Sequence, residues 1–229
     1  MDSKIIIFQN LADLFLSHGF NLYLVGGTVR DYLLNLPLTD MDAVSDATPD
    51  EILSFLEADD TFKHFGSLKH VTKEGIKFDI TTLRKESSYL DGRHPSHIVF
   101  VKDLKSDYAR RDFTINALYL DKNLEIYDFC NGLNDLKNRR LRMIGNPYLR
   151  IKEDPLRILR AIRFKLMYHL KIDEHLMKAM IENQFLLKNI TDAKIRTELE
   201  KIDDSKVDQE EKNKIFEQFA IANLVGVIK

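Results

Sequence analysis

Asp40 and Asp42 stand one residue apart in TDMDAV, and a third acid, Asp79, lies in GIKFDITTL. Read as a strand, TDMDAV turns residues 40 and 42 to one face. Two carboxylates that close repel each other unless a cation lies between them. A hard divalent ion with oxygen ligands is the natural partner. In GIKFDITTL the apolar Ile76, Phe78 and Ile80 alternate with Lys77, Asp79 and Thr81, so Asp79 is expected to point out of a sheet towards the pair. Three carboxylates converging from two strands suit two-metal phosphoryl transfer, with Asp40, Asp42 and Asp79 as the candidate catalytic and metal-ligating residues. An isolated D-x-D is a weak signal, because many such pairs are exposed loop acids.

Gly26-Gly27 sharpens the reading. It follows the apolar NLYLV and precedes TVRDYLL, a short helical pattern. Backbone N–H groups at such a strand-to-helix turn can bind phosphate, and glycine lets the backbone come close. Arg30, one helical turn on, adds a charge-assisted contact. The plainer alternative is a tight turn in which Arg30 pairs with Asp31. Glycines, arginine and D-x-D in this order within 17 residues form a far more specific pattern than any one of them.

The elements that must hold these residues alternate between strand and helix. IIIFQNLADLFLSHG reads as a helix closed by Gly19. Thr48-Pro49-Asp50-Glu51 is a capping box opening EILSFLEA. FGSLKHVT and GIKFDITTL form a hairpin across Lys73-Glu74-Gly75, and SHIVFVK and LEIYDF are further strands. Asp91, Gly92 and Arg93 fall in a polar stretch between strands, expected to be mobile. From about residue 150 the pattern is helical, in KEDPLRILRAIRFKLMYH, DEHLMKAMIENQFLL, TDAKIRTELEKI and QEEKNKIFEQFAIANLV. Gly145-Asn146-Pro147 marks the expected boundary, giving a domain over 1–147 and a helical one over 148–229.

At 229 residues and 44% hydrophobic, the chain has room for one large domain or two small ones. No apolar run approaches the roughly 18 residues of a membrane span. The N-terminus lacks a signal-peptide pattern, and the single Cys130 excludes an internal disulfide, so a cytoplasmic protein is expected. The net charge is −2, but its distribution is uneven. Residues 1–60 carry eleven acids against Lys4 and Arg30, a net −9; residues 137–171 carry eleven basic residues against Glu153 and Asp154, a net +9. Such asymmetry can mark a surface for a polyanion, or a basic helical face that is simply solvated or paired with acids.

Four segments, in order, resemble the motifs of the class II tRNA nucleotidyltransferase and bacterial poly(A) polymerase family. They are LVGGTVRDYLLNLPLTDMDAVSDATPDE, RRDFTINALYL, YDFCNGLNDLKNRRLR and EDPLRILRAIRF, together spanning about residues 20–165. The resemblance implies an α/β (α+β) nucleotidyltransferase head with a small, polymerase-β-like mixed sheet, followed by an all-α neck and the start of a helical body. It implies that Asp40 and Asp42 bind Mg²⁺ with Asp79 completing the acidic set for two ions. It places Gly26, Gly27, Arg30 and Arg111 at the nucleotide, with Asp112 and Asn116 bracing the second motif and touching the ribose side. The E-D-x-x-R helix is implied to read the base. At about 100° per residue Arg157 neighbours Asp154, Arg160 continues that row, and Arg163 drifts towards the side of Leu159, Ile162 and Leu166. An Asp acceptor and an Arg donor fork match the edges of cytosine and adenine.

Within the family, the resemblance favours an enzyme adding CCA to tRNA 3′ ends from CTP and ATP. TLRKESSYLDGRHPSHIVFV is similar to the loop that supports the switch from C to A addition, and HFGSLKHVT is closer to the H-G-T-V form than to the G-R-R-F-like signature of poly(A) polymerases. An A-adding enzyme or poly(A) polymerase is the alternative, and a non-catalytic nucleotide- or RNA-binding protein the alternative of another class. Two departures stand out. Ala193-Lys194 replaces the usual Glu-Arg pair of the fifth motif, ITDAKIRTELEKI, and family members continue further into a helical body and tail that grip the tRNA acceptor arm.

Overall fold

The computed structural model describes residues 2–89 and 95–221; Asp91, Gly92 and Arg93 lie outside the described residues. Two compact units are present, one built from residues 2–88 and 95–133, the other from residue 134 onward.

The first unit opens with α1 (Ser3–Ser17), capped by Asp2 and followed by Gly19 at φ +83°. Its buried residues Ile5, Phe8, Leu11, Ala12 and Phe15 recur at three- and four-residue spacing, one apolar stripe for the core. Then come β1 (Leu22–Val25), α2 (Gly27–Leu33), β2 (Met41–Ser45) and α3 (Pro49–Leu53). The capping box of α3 forms as read: Thr48 and Glu51 each accept the other's backbone N–H. After it, β3 (Ser67–Val71) and β4 (Lys77–Thr82) make the expected hairpin. The ribbon β5 (Arg84–Tyr89) and β6 (Pro95–Phe100), α4 (Leu104–Asp107), β7 (Leu118–Leu120) and β8 (Ile126–Asp128) complete the unit.

Six strands form one mixed sheet in the order β3-β4-β2-β1-β7-β8. Only β2 and β4 are parallel, and their register sets Asp42 beside Asp79. Phe8 and Phe15 of α1, Leu24, Met41, Phe78, Ile80 and Tyr119 of the sheet, and Phe113 are fully or almost fully buried. Asp40 departs from the strand reading. It lies on a bend just before β2, so the alternation argument holds for Asp42 and Asp79 but not for Asp40.

α5 (Gly132–Lys137) leads into the second unit, which holds β9 (Arg140–Leu141), α6 (Pro147–Glu153), α7 (Leu156–Tyr168), β10 (Lys171–Ile172), α8 (Glu174–Asn183), α9 (Asp192–Leu199) and α10 (Gln209–Gln218). β9 pairs in parallel with β10. That pairing ties residues 140–141 to the helical half, so the units part at Leu133/Asn134, before the boundary expected at 147/148. The single helix expected over KEDPLRILRAIRFKLMYH is two helices broken at Asp154-Pro155. Proline disfavours the helical region for the residue before it, and Asp154 is extended (φ −146°, ψ 96°).

One packing contact ties two family motifs together. A Cβ on Gly132 would meet the Thr114 carbonyl oxygen at 2.3 Å and the Leu118 side chain at 3.1 Å. The obstacle is backbone, so it cannot yield cheaply. Gly132→Ala is expected to lower stability by about 1–3 kcal/mol through overpacking. Urea denaturation measures this, and an unchanged midpoint would contradict it.

Candidate active site

β1 ends at Val25 and α2 begins at Gly27, so Gly26 alone makes the turn. It does so at φ +67° and ψ −132°, a backbone conformation that glycine adopts without strain. A Cβ on Gly26 would lie 3.5 Å from Asp42 Oδ2. One on Gly27 would lie 3.4 Å from Arg30 Nη2 and 3.9 Å from Asp42 Oδ2. The two glycines therefore keep bare backbone against the Asp42 carboxylate and the Arg30 guanidinium.

Arg30 is buried. Its Nε and Nη2 each lie 2.9 Å from Asp31 Oδ1, and its Nη1 donates to Asn116 Oδ1 at 2.7 Å. Asn116 Nδ2 donates in turn to Asp112 Oδ1 at 3.2 Å, which also accepts the Phe113 N–H at 2.7 Å. The pairing with Asp31 is thus real, and the same arginine also reaches across to the second motif. Asn116 sits in a one-turn helix, Thr114–Asn116, the turn that Gly132 packs against.

Thr28, which the sequence reading passed over, links the glycine turn to the acids. Its hydroxyl donates to the Asp40 carbonyl at 2.9 Å and accepts the Asp42 N–H at 2.8 Å. This fixes the bend at Asp40 and the start of β2. Asp42 is half-buried; Asp40 and Asp79 are exposed. Burial pushes the Asp42 carboxyl up to about 6, helped by Asp79 and then Asp40, while Arg111 and Arg30 pull it down. Those influences gather Arg30, Asp40, Asp42, Asp79 and Arg111 into one electrostatic neighbourhood, and Gly26 and Gly27 lie against Asp42. Among the described residues, no three Asp, Glu, His or Cys side chains are gathered closely enough to hold an ion together. The acids that face each other across the strands are Asp42 and Asp79.

Arg111 is held by a residue the sequence reading did not single out. Asp107 Oδ2 accepts from Arg111 Nε at 3.1 Å and Nη2 at 3.0 Å, and from the Tyr119 hydroxyl at 2.8 Å. The guanidinium also lies 5.2 Å over the Tyr119 ring. The four-residue spacing of Asp107 and Arg111 is the signal that could have found the pair.

Asp154, Arg157, Arg160 and Arg163 belong to the second unit. Asp154 lies outside α7, between α6 and α7, and its Oδ1 accepts the Leu156 N–H at 3.0 Å. The helical-wheel placement of Asp154 is corrected by this break. Arg157, placed on a polar side by that wheel, is buried; it donates to the Arg150 carbonyl at 2.6 Å and to Glu153 at 3.1 Å. Arg160 lies 5.5 Å over the Phe164 ring. Arg163 pairs with Glu198 of α9 at 2.6 Å, the buried side towards which it was expected to drift. The fifth motif thus supports α7 through Glu198, with Ala193-Lys194 in place of the usual pair.

A mixed sheet carrying paired acids beside a glycine turn is the head of a nucleotide-transferring fold. The chain belongs to the family with a poly A polymerase head domain, which residues 22–142 match. It is 40% identical over 185 residues to a CCA-adding enzyme of Staphylococcus haemolyticus, covering 81% of this chain and 46% of that protein. Among solved structures it is similar to the Bacillus stearothermophilus CCA-adding enzyme in complex with CTP, at 29% identity and a TM-score of 0.79, over 88% of this chain and 49% of that one. It is also similar to the Thermotoga maritima CCA-adding enzyme complexed with tRNA, at 28% identity and a TM-score of 0.77, over 98% and 53%. The chain spans about half the length of the relatives it matches. No helix among the described residues is long and apolar enough to cross a membrane.

The raised Asp42 carboxyl predicts a pH signature. A carboxylate whose folded value, about 6, exceeds its unfolded one, 3.8, favours the fold below pH 4 and loses that contribution as pH rises through 6. Without divalent metal, Asp42→Asn is expected to be more stable than the parent by roughly 1–3 kcal/mol at pH 8, with the gap closing towards pH 4. Denaturation in EDTA across this range tests it; a gap independent of pH would refute the assignment.

Proposed function

We propose that this protein is a template-independent nucleotidyltransferase that adds C, C and A to tRNA 3′ ends from CTP and ATP. The observation that carries the reading is the Asp42–Asp79 pair set against the bare Gly26-Gly27 backbone, with Arg30 and Arg111 in electrostatic reach. Similarity to CCA-adding enzymes supports the choice of substrate. In the reaction the RNA 3′-oxygen bonds to the α-phosphorus, the bond to the β-phosphate breaks, and pyrophosphate leaves with that electron pair.

The donors suit a divalent ion: they are all oxygens, two on one face, and their mutual repulsion falls when a cation joins them. Asp42 and Asp79 would hold the metal, with Asp40 acting on Asp42 by charge; two Mg²⁺ would supply charge that lowers the pKa of the 3′-hydroxyl and stabilises the departing pyrophosphate. Gly26 and Gly27 admit the triphosphate close to the backbone. Arg30 and Arg111 hold it, with Asp112 and Asn116 fixing Arg30. Asp154 and Arg157 read the base edge, and Arg160 and Arg163 extend that positive helix. No side chain is required as a covalent nucleophile. The cytoplasm, where tRNA is matured, is the compartment this reading requires.

The test supplies tRNAs ending before, within and after CC, with CTP or ATP separately, and sizes the products. The expected result is C added to the first two and A only after CC. Addition of A alone, in runs, would favour poly(A) synthesis, and no addition at all would favour a binding protein. Asp42→Ala should abolish addition while the protein stays folded. Asp154→Ala should relax discrimination of CTP and ATP from UTP and GTP by about tenfold, the cost of a lost base-edge pair. A variant that keeps its selectivity and binds every nucleotide more weakly would remove Asp154 from the base-reading role.

A further inference from the structure

Asp107 is fully buried and has no part in the reaction as proposed, yet both its oxygens are fully engaged. Oδ2 accepts from Arg111 and from Tyr119, as described above. Oδ1 accepts from Arg110 Nε at 2.8 Å and from the Arg84 backbone N–H at 3.1 Å. Arg84 opens β5, and its side chain donates to Glu86 at 2.7 Å and to the Phe65 carbonyl. Arg110 joins the same Glu86 at 3.3 Å. One side of the carboxylate therefore faces Arg111, and the other faces the root of the β5–β6 ribbon.

We infer that Asp107 is a positioning residue that holds Arg111 in the orientation that receives the nucleotide, braced against the ribbon root. The inference rests on the reading that Arg111 contacts the nucleotide. A held arginine has an advantage at a ligand site, because a long side chain loses rotamer freedom on binding unless it is already fixed. Asp107 grips Nε and Nη2 through one oxygen and leaves the orientation of the fork set by the Tyr119 ring beneath it. Asparagine at 107 would lose the charge and turn either an amide N–H₂ or a single neutral oxygen to the guanidinium.

The test is a double-mutant cycle on CTP affinity, measured by calorimetry without RNA, alongside KM and kcat. Asp107→Asn is expected to weaken CTP binding by about tenfold, raising KM more than it lowers kcat. In an Arg111→Ala background the same substitution should change CTP affinity less than twofold, because Asp107 then has nothing to position. An Asp107→Asn loss that persists undiminished in that background would overturn the positioning role while leaving the nucleotide role of Arg111 intact. Arg111→Ala binding CTP as tightly as the parent would overturn the role of Arg111, and this inference with it. If Asp107→Asn does not fold, Tyr119→Phe serves in the same cycle. It removes the hydroxyl that donates to Oδ2 and accepts from Arg111 Nε at 3.2 Å, loosening the same grip on the guanidinium, with an expected loss of about threefold that vanishes in the Arg111→Ala background. A loss equal in both backgrounds would overturn the inference.

Discussion

Like charges fixed side by side are the constraint around which the head is organised. Asp42 and Asp79 occupy the same register on adjacent parallel strands, so the sheet itself prevents them from moving apart. Their repulsion and the burial of Asp42 show in its raised carboxyl. Positive charge nearby relieves the strain, but an arginine bonded directly to Asp42 would occupy the place proposed for a cation or phosphate. The structure meets both needs by giving each nearby arginine its own acid. Arg30 is tied to Asp31 and Arg111 to Asp107, while the charge of both pulls the Asp42 carboxyl down.

This pairing explains why polar side chains penetrate the core. Arg30, Asn116 and Asp107 are all buried, a costly arrangement unless each is fully hydrogen-bonded. The Tyr119 ring lies among Val25, Val44, Leu83 and Leu104 while its hydroxyl reaches Asp107, joining an apolar cluster to the ion pairs. Burial raises the Tyr119 hydroxyl and so keeps it a donor. Burial would also push the Asp107 carboxyl up, yet Arg111 and Arg110 hold it well below the usual range, so it stays charged.

What could be read from the sequence was what local pattern determines. The stripe of α1, the Thr48–Glu51 capping box and the β3–β4 hairpin each depend on residues within a few positions of one another, and each forms as read. The placement of Asp79 against Asp42 also followed from alternation, because both lie inside strands. Asp40 and Asp154 defy the local pattern for a shared reason: each sits where a regular element stops. Thr28 bends the chain at Asp40 from twelve residues away, and Pro155 expels Asp154 from the helix. The β9–β10 pairing, which shifts the boundary between units, joins strands of two residues, too short for any periodicity to mark. Asp107 is only half legible: its spacing to Arg110 and Arg111 is local, but its partners at 84 and 119 are brought in by the fold alone.

The base-reading role proposed for Asp154 is better served by the break at Asp154-Pro155 than by a continuous helix. On an unbroken helix Asp154 would be one side chain among several on a solvated face. At the break, proline fixes the backbone after it and the Asp154 carboxylate is anchored to the Leu156 N–H, so its direction is set by the main chain. Arg157 then falls in the first turn of α7, its guanidinium gripped by the Arg150 carbonyl and Glu153 from the helix before. Further along, Arg163 is pinned to Glu198 and stacked 4.3 Å over Phe164, which ties α7 to α9. Both units thus fix an arginine with a carboxylate of its own, Arg111 by Asp107 and Arg163 by Glu198, and an arginine already fixed has less rotamer freedom left to lose.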